Sequence, residues 1–502
     1  MLTGGMTMTD VSQSEDRAQW GKLQNYIDGE WVDATATECF DVVNPATGEI
    51  LAQTPMSSSD DVDRAVQAAQ DVFMEWRETS PVTRARYMFR LKNLMEDDFD
   101  RLARVVVIEN GKTLDEARGE VRRAIEMVET AAGIPSLMMG YNLEDGAASG
   151  IDEEVLKQPM GVFAAICPFN FPFMVSYWFW PFALACGNTY VVKPSEMCPL
   201  STQVTFELIE KLDLPPGVIN MVHGGKDVVE SITDHPLVQG ISFVGSTPIG
   251  RIVYERSAAK GKRVQAQAGA KNCLVVMPDA NLDRSLPNMI SSFYGCAGQR
   301  CLAGSILIAV GDIYQTLAER FVEGAKQINV GYGLEERSMM GPVVTMQSRD
   351  RIIKMIERGV EQGAKLLLDG RGLEVEGYPN GSFIGPTVFD EVKPEMEIFQ
   401  EEVFGPVCSI VRAQDLDEAI ELVNSLPFGN ASSIYTDSGA AARQYRYEVE
   451  AGNIGINVGV AAAMSFFPFG GFKDSFFGDI HGQGRDSIEF FTDRKTVITR
   501  WF

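Results

Sequence analysis

The segment GQRC, residues 298–301, places a cysteine directly after an arginine. A cysteine attacks as its thiolate, and an electropositive neighbourhood favours that form. Arg300 could supply this charge to Cys301. A cysteine among small residues is also typical of an inert buried side chain, so this segment alone leaves both interpretations open.

Two further segments follow predicted strands and could bind a reacting oxygen or a nucleotide. PFNFP (168–172) contains Asn170, whose amide N–H could donate to a developing oxyanion or could only form a turn. KPSE (193–196) places Lys193 and Glu196 at the carboxyl end of a strand, where open parallel sheets bind ligands. Glu196 could accept from ribose hydroxyls, or the two charges could form an ordinary solvated pair.

A third segment, GSTPIG (245–250), joins a predicted strand to a predicted helix. Gly245 and Ser246 could bring the backbone close to a pyrophosphate at the helix N-terminus. The segment lacks the GxGxxG spacing of dinucleotide-binding loops. By itself it therefore predicts only a turn between a strand and a helix.

Alternating strands and helices must position these segments. The short apolar runs GVFAAI, TYVVK, GVINMV and GISFVG are separated by helix-like segments, which predicts a parallel sheet covered on both faces. Residues 158–192 carry no charge, but Pro168, Pro172 and Pro181 interrupt them. This favours a strand, a loop, a helix and a second strand over a membrane span.

Other local signals define the ends of the chain and the helices. Asp28-Gly29 in YIDGEW predicts a hairpin, and Thr113 with Glu116 predicts a capping box. NCLVVM, SILIAV and GNIGIN predict a second α/β region. The final segment SIEFFTDRKTVITRWF (487–502) predicts a β-rich tail that pairs with another subunit or docks on its own chain.

Composition excludes several classes of function. The chain has 502 residues, and this length predicts more than one lobe. Its formal net charge of -25 disfavours nucleic acid and membrane surfaces as partners. The 8 cysteines form no CxxC pair and the 3 histidines lack metal-ligand spacing. We therefore expect free thiols in a reducing compartment, and neither a zinc site nor a Ser-His-Asp hydrolase. Residues 1–19 are polar and are predicted to form a flexible tail, not a signal peptide.

Taken together, PFNFP, KPSE, GSTPIG, GQRC and EEVFGP (401–406) resemble the aldehyde dehydrogenase superfamily in order and close to its spacing. The resemblance covers most of the chain. It implies an α/β fold with a Rossmann-like NAD domain, an α/β catalytic domain and a β oligomerisation arm. It implies that Cys301 is the nucleophile and that Asn170, with the Cys301 backbone N–H, forms the oxyanion hole. The residues implied for NAD are Lys193 and Glu196 at the adenosine ribose, Gly245 and Ser246 near the pyrophosphate, Glu402 and Phe404 at the nicotinamide end, and Phe169.

The resemblance also suggests boundaries for the domains. The NAD-binding domain is expected over residues 20–134 and 156–271, and the catalytic domain over 272–470. Residues 135–155 and 486–502 are expected to form the oligomerisation arm of a tetramer, although the sequence does not exclude a dimer.

One departure from the family pattern indicates the subclass. Hydrolytic members have a segment like ELGGK whose glutamate activates water, whereas this chain has QAGAK, residues 267–271. Gln267 has no titratable proton and cannot act as a general base. A thiol such as coenzyme A would then release the acyl group, because a thiolate attacks a thioester readily. The segments QAGAKN, AGQRC, SLMMG and FGGFKDSFFGD also resemble the CoA-acylating methylmalonate-semialdehyde dehydrogenase branch.

The substrates of that branch carry a carboxylate that an arginine can hold through two hydrogen bonds. Arg300 is one candidate. GEVRRAIE (119–126) offers Arg122 and Arg123, and the match to the branch favours Arg123. Without the resemblance, an arginine on a helix is more typical of a solvated surface.

The resemblance implies a cytoplasmic enzyme that uses NAD and CoA to convert methylmalonate or malonate semialdehyde into propionyl-CoA or acetyl-CoA, CO2 and NADH. Glu196 disfavours NADP, because its charge would repel a 2′-phosphate. A hydrolytic aldehyde dehydrogenase is the alternative within enzymes. A non-catalytic binding or structural relative is the alternative from another class, and the presence of Cys301, Asn170, Lys193 and Glu402 argues against it.

Overall fold

The computed structural model describes residues 20–502, so the tail predicted over residues 1–19 lies outside the described residues. The strands, in chain order, are β1 (Gly21–Lys22), β2 (Asn25–Ile27), β3 (Glu30–Val32), β4 (Cys39–Val43), β5 (Ile50–Pro55), β6 (Tyr141–Leu143), β7 (Ile151–Pro159), β8 (Val162–Ile166), β9 (Thr189–Lys193), β10 (Ile219–Met221), β11 (Val238–Val244), β12 (Arg263–Gln267), β13 (Asn272–Val276), β14 (Gly304–Val310), β15 (Lys365–Leu368), β16 (Thr387–Asp390), β17 (Val407–Ala413), β18 (Phe428–Gly429), β19 (Ala431–Tyr435), β20 (Asn453–Ile456), β21 (Phe472–Lys473), β22 (Phe476–Gly478) and β23 (Thr492–Arg500).

The helices alternate with these strands through much of the chain. They are α1 (Ser59–Glu78), α2 (Pro81–Asp97), α3 (Phe99–Asn110), α4 (Leu114–Ala132), α5 (Ile134–Leu137), α6 (Met174–Tyr177), α7 (Trp180–Cys186), α8 (Leu200–Glu210), α9 (Lys226–Asp234), α10 (Thr247–Ala258), α11 (Leu282–Tyr294), α12 (Tyr314–Lys326), α13 (Met346–Glu361), α14 (Glu397–Gln400), α15 (Leu416–Ser425), α16 (Gly439–Glu448) and α17 (Gly484–Phe491). The predicted α/β class is confirmed.

The first large sheet has the strand order β22-β12-β11-β8-β9-β10-β2-β3, and the strands from β12 to β10 are parallel. Successive residues of its central strands belong to different hydrophobic clusters. Phe163 and Ala165 of β8 pack in one cluster, whereas Val162 and Ala164 pack in another. Because alternate side chains of a strand point to opposite faces, both faces of this sheet are buried, as predicted.

The second large sheet has the order β15-β16-β17-β14-β13-β19-β20, and all of its pairs except β15 with β16 are parallel. Its strands contribute to a separate cluster of buried apolar side chains, together with the helices that cover the sheet. The predicted strands NCLVVM, SILIAV and GNIGIN correspond to β13, β14 and β20.

A smaller sheet, with the order β23-β7-β6, contains the C-terminal strand. The prediction of a β-rich tail is wrong for its first five residues, SIEFF, which lie in α17. Ile488 and Phe491 lie three residues apart on one side of that helix and are buried, and the Phe491 ring meets Phe163 at 5.0 Å. The strand starts at Thr492 and pairs with β7 of the same chain along its whole length.

Several local predictions are confirmed. Asp28 and Gly29 turn the hairpin between β2 and β3 with φ values of 56° and 80°. Thr113 and Glu116 form the capping box of α4. The uncharged stretch 158–192 contains β8, α6, α7 and β9. Across residues 20–502 we find no helix with both the length and the apolar character that crossing a membrane requires.

Candidate active site

The candidate site lies where one edge of the first sheet meets one edge of the second. Strands β12, β11, β8 and β9 are parallel neighbours, so the segments at their carboxyl ends all lie at the same edge of the sheet. These are the segments QAGAK, GSTPIG, PFNFP and KPSE. Cys301 instead precedes β14 at the amino edge of the second sheet. The strand order thus brings four of the predicted motifs together.

The loop before Cys301 has an unusual backbone. Cys296 and Ala297 have φ values of 50° and 52°, in the left-handed region that non-glycine residues seldom adopt. Gly298 has a φ of 70°, and a Cβ at this position would lie 2.1 Å from the carbonyl oxygen of Gly405. The backbones of the GQRC and EEVFGP motifs are therefore in contact at a distance that only a glycine at position 298 allows.

Three side-chain amides hold the backbone around Cys301, the predicted nucleophile. The carbonyl oxygen of Cys301 accepts from Asn272 Nδ2 at 2.8 Å and from Asn430 Nδ2 at 2.7 Å. Asn170 Nδ2 donates to the Gln299 carbonyl at 3.1 Å, which places the predicted oxyanion donor beside the nucleophile loop. The sequence did not single out Asn272 or Asn430, because asparagines next to strands usually serve as turn residues.

The surroundings of Cys301 disfavour its thiolate, mainly through burial. Burial raises the pKa of the Cys301 thiol to about 12, and the nearby Glu402 carboxylate raises it further. Backbone N–H groups at Cys301 and Leu302 lower this pKa, and so does Arg300, as predicted, but these effects are smaller. Burial also raises the pKa of Glu402 to about 7, so its carboxylate is charged in weakly alkaline solution.

The surroundings of the Cys301 thiol predict how its reactivity depends on pH. In the protein without ligands, alkylation of Cys301 by iodoacetamide should rise about tenfold per pH unit from pH 8 to pH 10, without a plateau, because the thiol pKa lies higher. Glu402→Gln should react about threefold faster at pH 9, since it removes a charge that opposes the thiolate. The rate is measured on the tryptic peptide that begins at Cys301.

The exposed neighbour Glu401 provides the control, and Glu401→Gln should change the rate less than Glu402→Gln. A plateau near pH 8, or equal rates for the two variants, would contradict this account of the Cys301 environment.

The Cys301 side chain lines a cavity of about 290 Å³, which we call the Cys301 cavity. Both arginines predicted to bind a carboxylate, Arg123 and Arg300, line it. Its charged or thiol-bearing side chains also include Glu116, Glu120 and Cys296. Its apolar side chains include Met127, Phe171, Met174, Trp178, Val460 and Phe469. The cavity thus combines a thiol, cationic groups and an apolar wall.

Helix α4 forms one side of this cavity. Glu116, Glu120, Arg123 and Met127 are spaced by three or four residues and therefore lie along one face of the helix. Glu120 is held by the buried Lys112 ammonium group, and its Oε1 accepts from the backbone N–H groups of residues 173 and 174 at 2.9 and 3.0 Å. This helix therefore also fixes the start of α6.

The two consecutive arginines on α4 have different surroundings. Arg122 pairs with Glu96 through contacts of 2.7 and 2.9 Å, and its side chain is 45% exposed. Arg123 lines the cavity, pairs with Glu126 at 2.9 Å and donates to the Ala463 carbonyl. The structure therefore places the predicted residue, Arg123, at the cavity and its neighbour at the surface.

Arg300 is more tightly enclosed than Arg123. Its Nη2 donates to Glu116 Oε1 at 3.1 Å. A Cβ added to Gly295 would lie 2.2 Å from the same nitrogen, so the guanidinium group packs closely against the backbone. Glu116, which the sequence indicated only as a helix cap, is thus a member of the site.

Gln267 is the last residue of β12 and is 4% exposed. Its Nε2 donates to the carbonyl oxygen of Phe469, a residue of the Cys301 cavity, at 3.2 Å. Within the described chain its Oε1 accepts no hydrogen bond. The residue at the position of the family's general base is therefore a buried amide that reaches the wall of the cavity.

The remaining predicted residues lie along the carboxyl edge of the first sheet. Lys193 Nζ contacts Glu196 Oε2 at 2.7 Å. Burial alone would raise the pKa of Glu196, but Lys193 outweighs it and holds this pKa below its ordinary value. Gly245 ends the turn before α10, and Ser246 is the N-cap of that helix without a side-chain capping bond. The exposed Ser246 hydroxyl is therefore available to a ligand.

The motif EEVFGP approaches the same region from the other sheet. Glu402 Oε1 accepts from the Ala270 backbone N–H at 3.0 Å. Phe404 has a φ of 53°, and its ring meets that of Phe169 edge to face at 5.9 Å. Asn110 Nδ2 fixes the Phe169 carbonyl at 2.9 Å. In residues 20–502 we find no group of three or more His, Cys, Asp or Glu side chains that could hold a metal ion.

Comparisons with known proteins identify the family of this chain. A model of the aldehyde dehydrogenase family matches residues 31–497. The chain is 50% identical over 479 residues to malonate-semialdehyde dehydrogenase 3 of Geobacillus kaustophilus, with 95% of this chain and 99% of that protein covered. It is 49% identical over 480 residues to malonate-semialdehyde dehydrogenase 2 of Bacillus thuringiensis strain Al Hakam, with 95% and 98% covered.

Solved structures of similar proteins have the same fold. The crystal structure of methylmalonate-semialdehyde dehydrogenase from Oceanimonas doudoroffii has a TM-score of 0.94 and 41% identity, and covers 96% of this chain and 99% of that one. A Sinorhizobium meliloti 1021 protein, assigned as a methylmalonate-semialdehyde dehydrogenase and complexed with NAD, has a TM-score of 0.95 and 41% identity, with 97% and 99% covered. The chain therefore belongs to the aldehyde dehydrogenase family.

Proposed function

We propose that the protein is an NAD-dependent, CoA-acylating dehydrogenase of malonate semialdehyde and methylmalonate semialdehyde. The observation that carries the proposal is a single cavity that holds both the Cys301 thiol and the Arg123 guanidinium group. An aldehyde with a carboxylate one carbon away can present its carbonyl carbon to the first and its charge to the second. The names and high identity of the relatives support the same class of substrate.

The residues along the carboxyl edge of the first sheet fit NAD. Helix α10 begins with the exposed, unbonded Ser246 hydroxyl beside Gly245, and helix N-termini attract phosphate groups. The Glu196 carboxylate, held by Lys193, can accept from ribose hydroxyls. Phe169, Glu402 and Phe404 would hold the nicotinamide end. When bound, NAD supplies the acceptor for the hydride that leaves the substrate carbon.

The chain's residues perform the covalent steps. The Cys301 thiol gives its proton to solvent, and the sulfur then adds to the aldehyde carbon while the C=O π bond breaks, which forms a thiohemiacetal with a negatively charged oxygen. Asn170 has a second amide hydrogen besides the one bonded to the Gln299 carbonyl, and it can donate to the new oxyanion together with the Cys301 backbone N–H. After the hydride has left, the oxygen re-forms a carbonyl group and Cys301 carries a thioester.

The last step is release of the acyl group, and Gln267 affects how this release can occur. The thioester of a malonyl-type acid loses CO2 and gains a proton, which leaves an acetyl or propionyl group on Cys301. Gln267 cannot remove a proton from water, so hydrolysis is slow. The thiolate of CoA attacks the thioester carbon, the CoA sulfur takes the acyl group, and Cys301 leaves as its thiolate.

Replacing Arg123 by leucine should separate recognition of the carboxylate from the chemistry. We expect kcat/KM for malonate semialdehyde to fall about 100-fold, as is typical when a charge-assisted pair is lost. With propanal, which has no carboxylate, the change should stay within about threefold. The measurement is initial NADH formation with NAD and CoA present.

Arg122→Leu is the matched control, because it removes the same charge from the next position of α4. Its exposed pair with Glu96 predicts a change below about twofold with either substrate. Equal losses for Arg122→Leu and Arg123→Leu, or equal losses of Arg123→Leu on both aldehydes, would contradict the proposed role of Arg123.

We further propose the division of the chain that the sequence suggests, with the first segment of the arm extended from residue 155 to the end of β7 at Pro159. The first large sheet would belong to the NAD-binding domain, the second to the catalytic domain, and the sheet β23-β7-β6 to the oligomerisation arm of a cytoplasmic homotetramer. The exposed apolar side chains of this arm support the last assignment. They are Tyr141, Leu143, Ile498 and Trp501.

A further inference from the structure

We propose, on the basis of the function proposed above, that Glu116 is a positioning residue for the nucleophile. Its carboxylate would hold the loop 295–300 in the conformation that presents Cys301 to any aldehyde. Glu116 would thus act through the backbone of Cys296 and through Arg300, without contacting the substrate.

The contacts of Glu116 support this role. Its Oε2 accepts from the Thr113 backbone N–H at 3.0 Å, which completes the capping box of α4. Its Oε1 accepts from the Cys296 backbone N–H at 2.7 Å and from Arg300 Nη2 at 3.1 Å. One carboxylate therefore ties the start of α4 to both ends of the turn that precedes Cys301.

The turn needs such a restraint because its backbone is strained. Cys296 and Ala297 both have left-handed φ values, which cost energy unless surrounding contacts determine them. Glu116 binds the N–H of the first of these two residues. The guanidinium group of Arg300, packed against Gly295, closes the turn from the other side.

The two arginines of the cavity consequently have different roles. Glu116, the partner of Arg300, is 15% exposed in its side chain and is fixed by two backbone N–H groups. Glu126, the partner of Arg123, lies three residues further along the same helix, is 23% exposed, and its carboxylate accepts from no backbone N–H within residues 20–502. We infer that Arg123 recognises the substrate charge and that Arg300 mainly holds the loop.

The test compares Glu116→Ala, Glu116→Gln and Thr113→Ala with malonate semialdehyde and with propanal. We expect Glu116→Ala to lower kcat about 30-fold on both aldehydes, with KM within about threefold, because a misplaced nucleophile slows every reaction of Cys301. Glu116→Gln keeps an acceptor for the Cys296 N–H, so its kcat should fall only about fivefold. Thr113→Ala loses the other half of the capping box but keeps the carboxylate contacts, so its kcat should change less than about twofold.

Equal kcat values for Glu116→Ala and Thr113→Ala would overturn the proposal, because Glu116 would then be only a helix cap. A loss confined to malonate semialdehyde and expressed in KM would also overturn it, since Glu116 would then act on substrate charge. If Glu116→Ala does not fold, an unchanged kcat of Glu116→Gln on both aldehydes overturns the proposal, and a loss on both supports it. If the wild-type protein oxidises propanal but not malonate semialdehyde, the proposed substrate is wrong, while the propanal measurements still test Glu116.

Discussion

Cys301→Ala should lower NADH formation from malonate semialdehyde by at least about 10⁴-fold, equivalent to about 5.5 kcal/mol of lost transition-state stabilisation. The expected loss is large because no thiohemiacetal forms without the sulfur, and free aldehydes in water are poor hydride donors. The measurement is the steady rate at 340 nm with saturating NAD and CoA, over the background without enzyme. The substitution removes one sulfur atom from the lining of the Cys301 cavity, so it should leave the fold intact.

Cys296→Ala is the matched control, because Cys296 also lines the Cys301 cavity. Its contacts to Glu116 run through the backbone N–H, which alanine keeps. We expect this variant to retain its rate within about threefold. A Cys301→Ala rate within tenfold of the wild type, or a loss in Cys296→Ala as large as that in Cys301→Ala, would contradict the assignment of the nucleophile to Cys301.

The sequence was most informative about residues that follow predicted strands. Lys193 is the last residue of its strand, and Asn170 and Gly245 lie in the loops that follow two neighbouring strands of the same parallel sheet. Parallel strands place their carboxyl ends at one edge. Their proximity therefore followed from the alternation of strands and helices. The position of Cys301 relative to them did not, because it depends on how the second sheet meets the first.

Long-range hydrogen bonds of the site could not be predicted from local patterns. The spacing of Thr113 and Glu116 indicates a capping box, but this explains only one of the two Glu116 oxygens. The other oxygen reaches Cys296, which is distant in sequence and held in a left-handed conformation. Similarly, nothing local indicates that Asn272 and Asn430 hold the Cys301 carbonyl.

The C-terminal segment shows how a short apolar run remains ambiguous. SIEFF contains aromatic and branched residues that are typical of strands, yet its apolar side chains at positions 488 and 491 also suit one face of a helix. Packing against Phe163 of the first sheet decides for the helix. The strand β7, which pairs with the end of the chain, also continues to Pro159, past the boundary expected near residue 155.

Omitting CoA should lower the steady rate of NADH formation about 100-fold while leaving the first turnover intact. The reason is the buried amide of Gln267, which cannot act as a base toward water near the thioester on Cys301. Dethio-coenzyme A, which has the same nucleotide and pantetheine portions but no thiol, should not restore the rate. A restored rate with this analogue would show that CoA acts by binding and not as an acyl acceptor.

The central claim is that the acyl group waits on Cys301 until a thiol removes it, and rapid mixing of the enzyme with NAD and malonate semialdehyde in the absence of CoA tests this directly. We predict a burst of about one NADH per active site, then a stall, with the mass of one acetyl group added to the tryptic peptide that begins at Cys301. NADH that forms linearly at the same rate with and without CoA, with free carboxylic acid as the product and no acylated peptide, would contradict the claim.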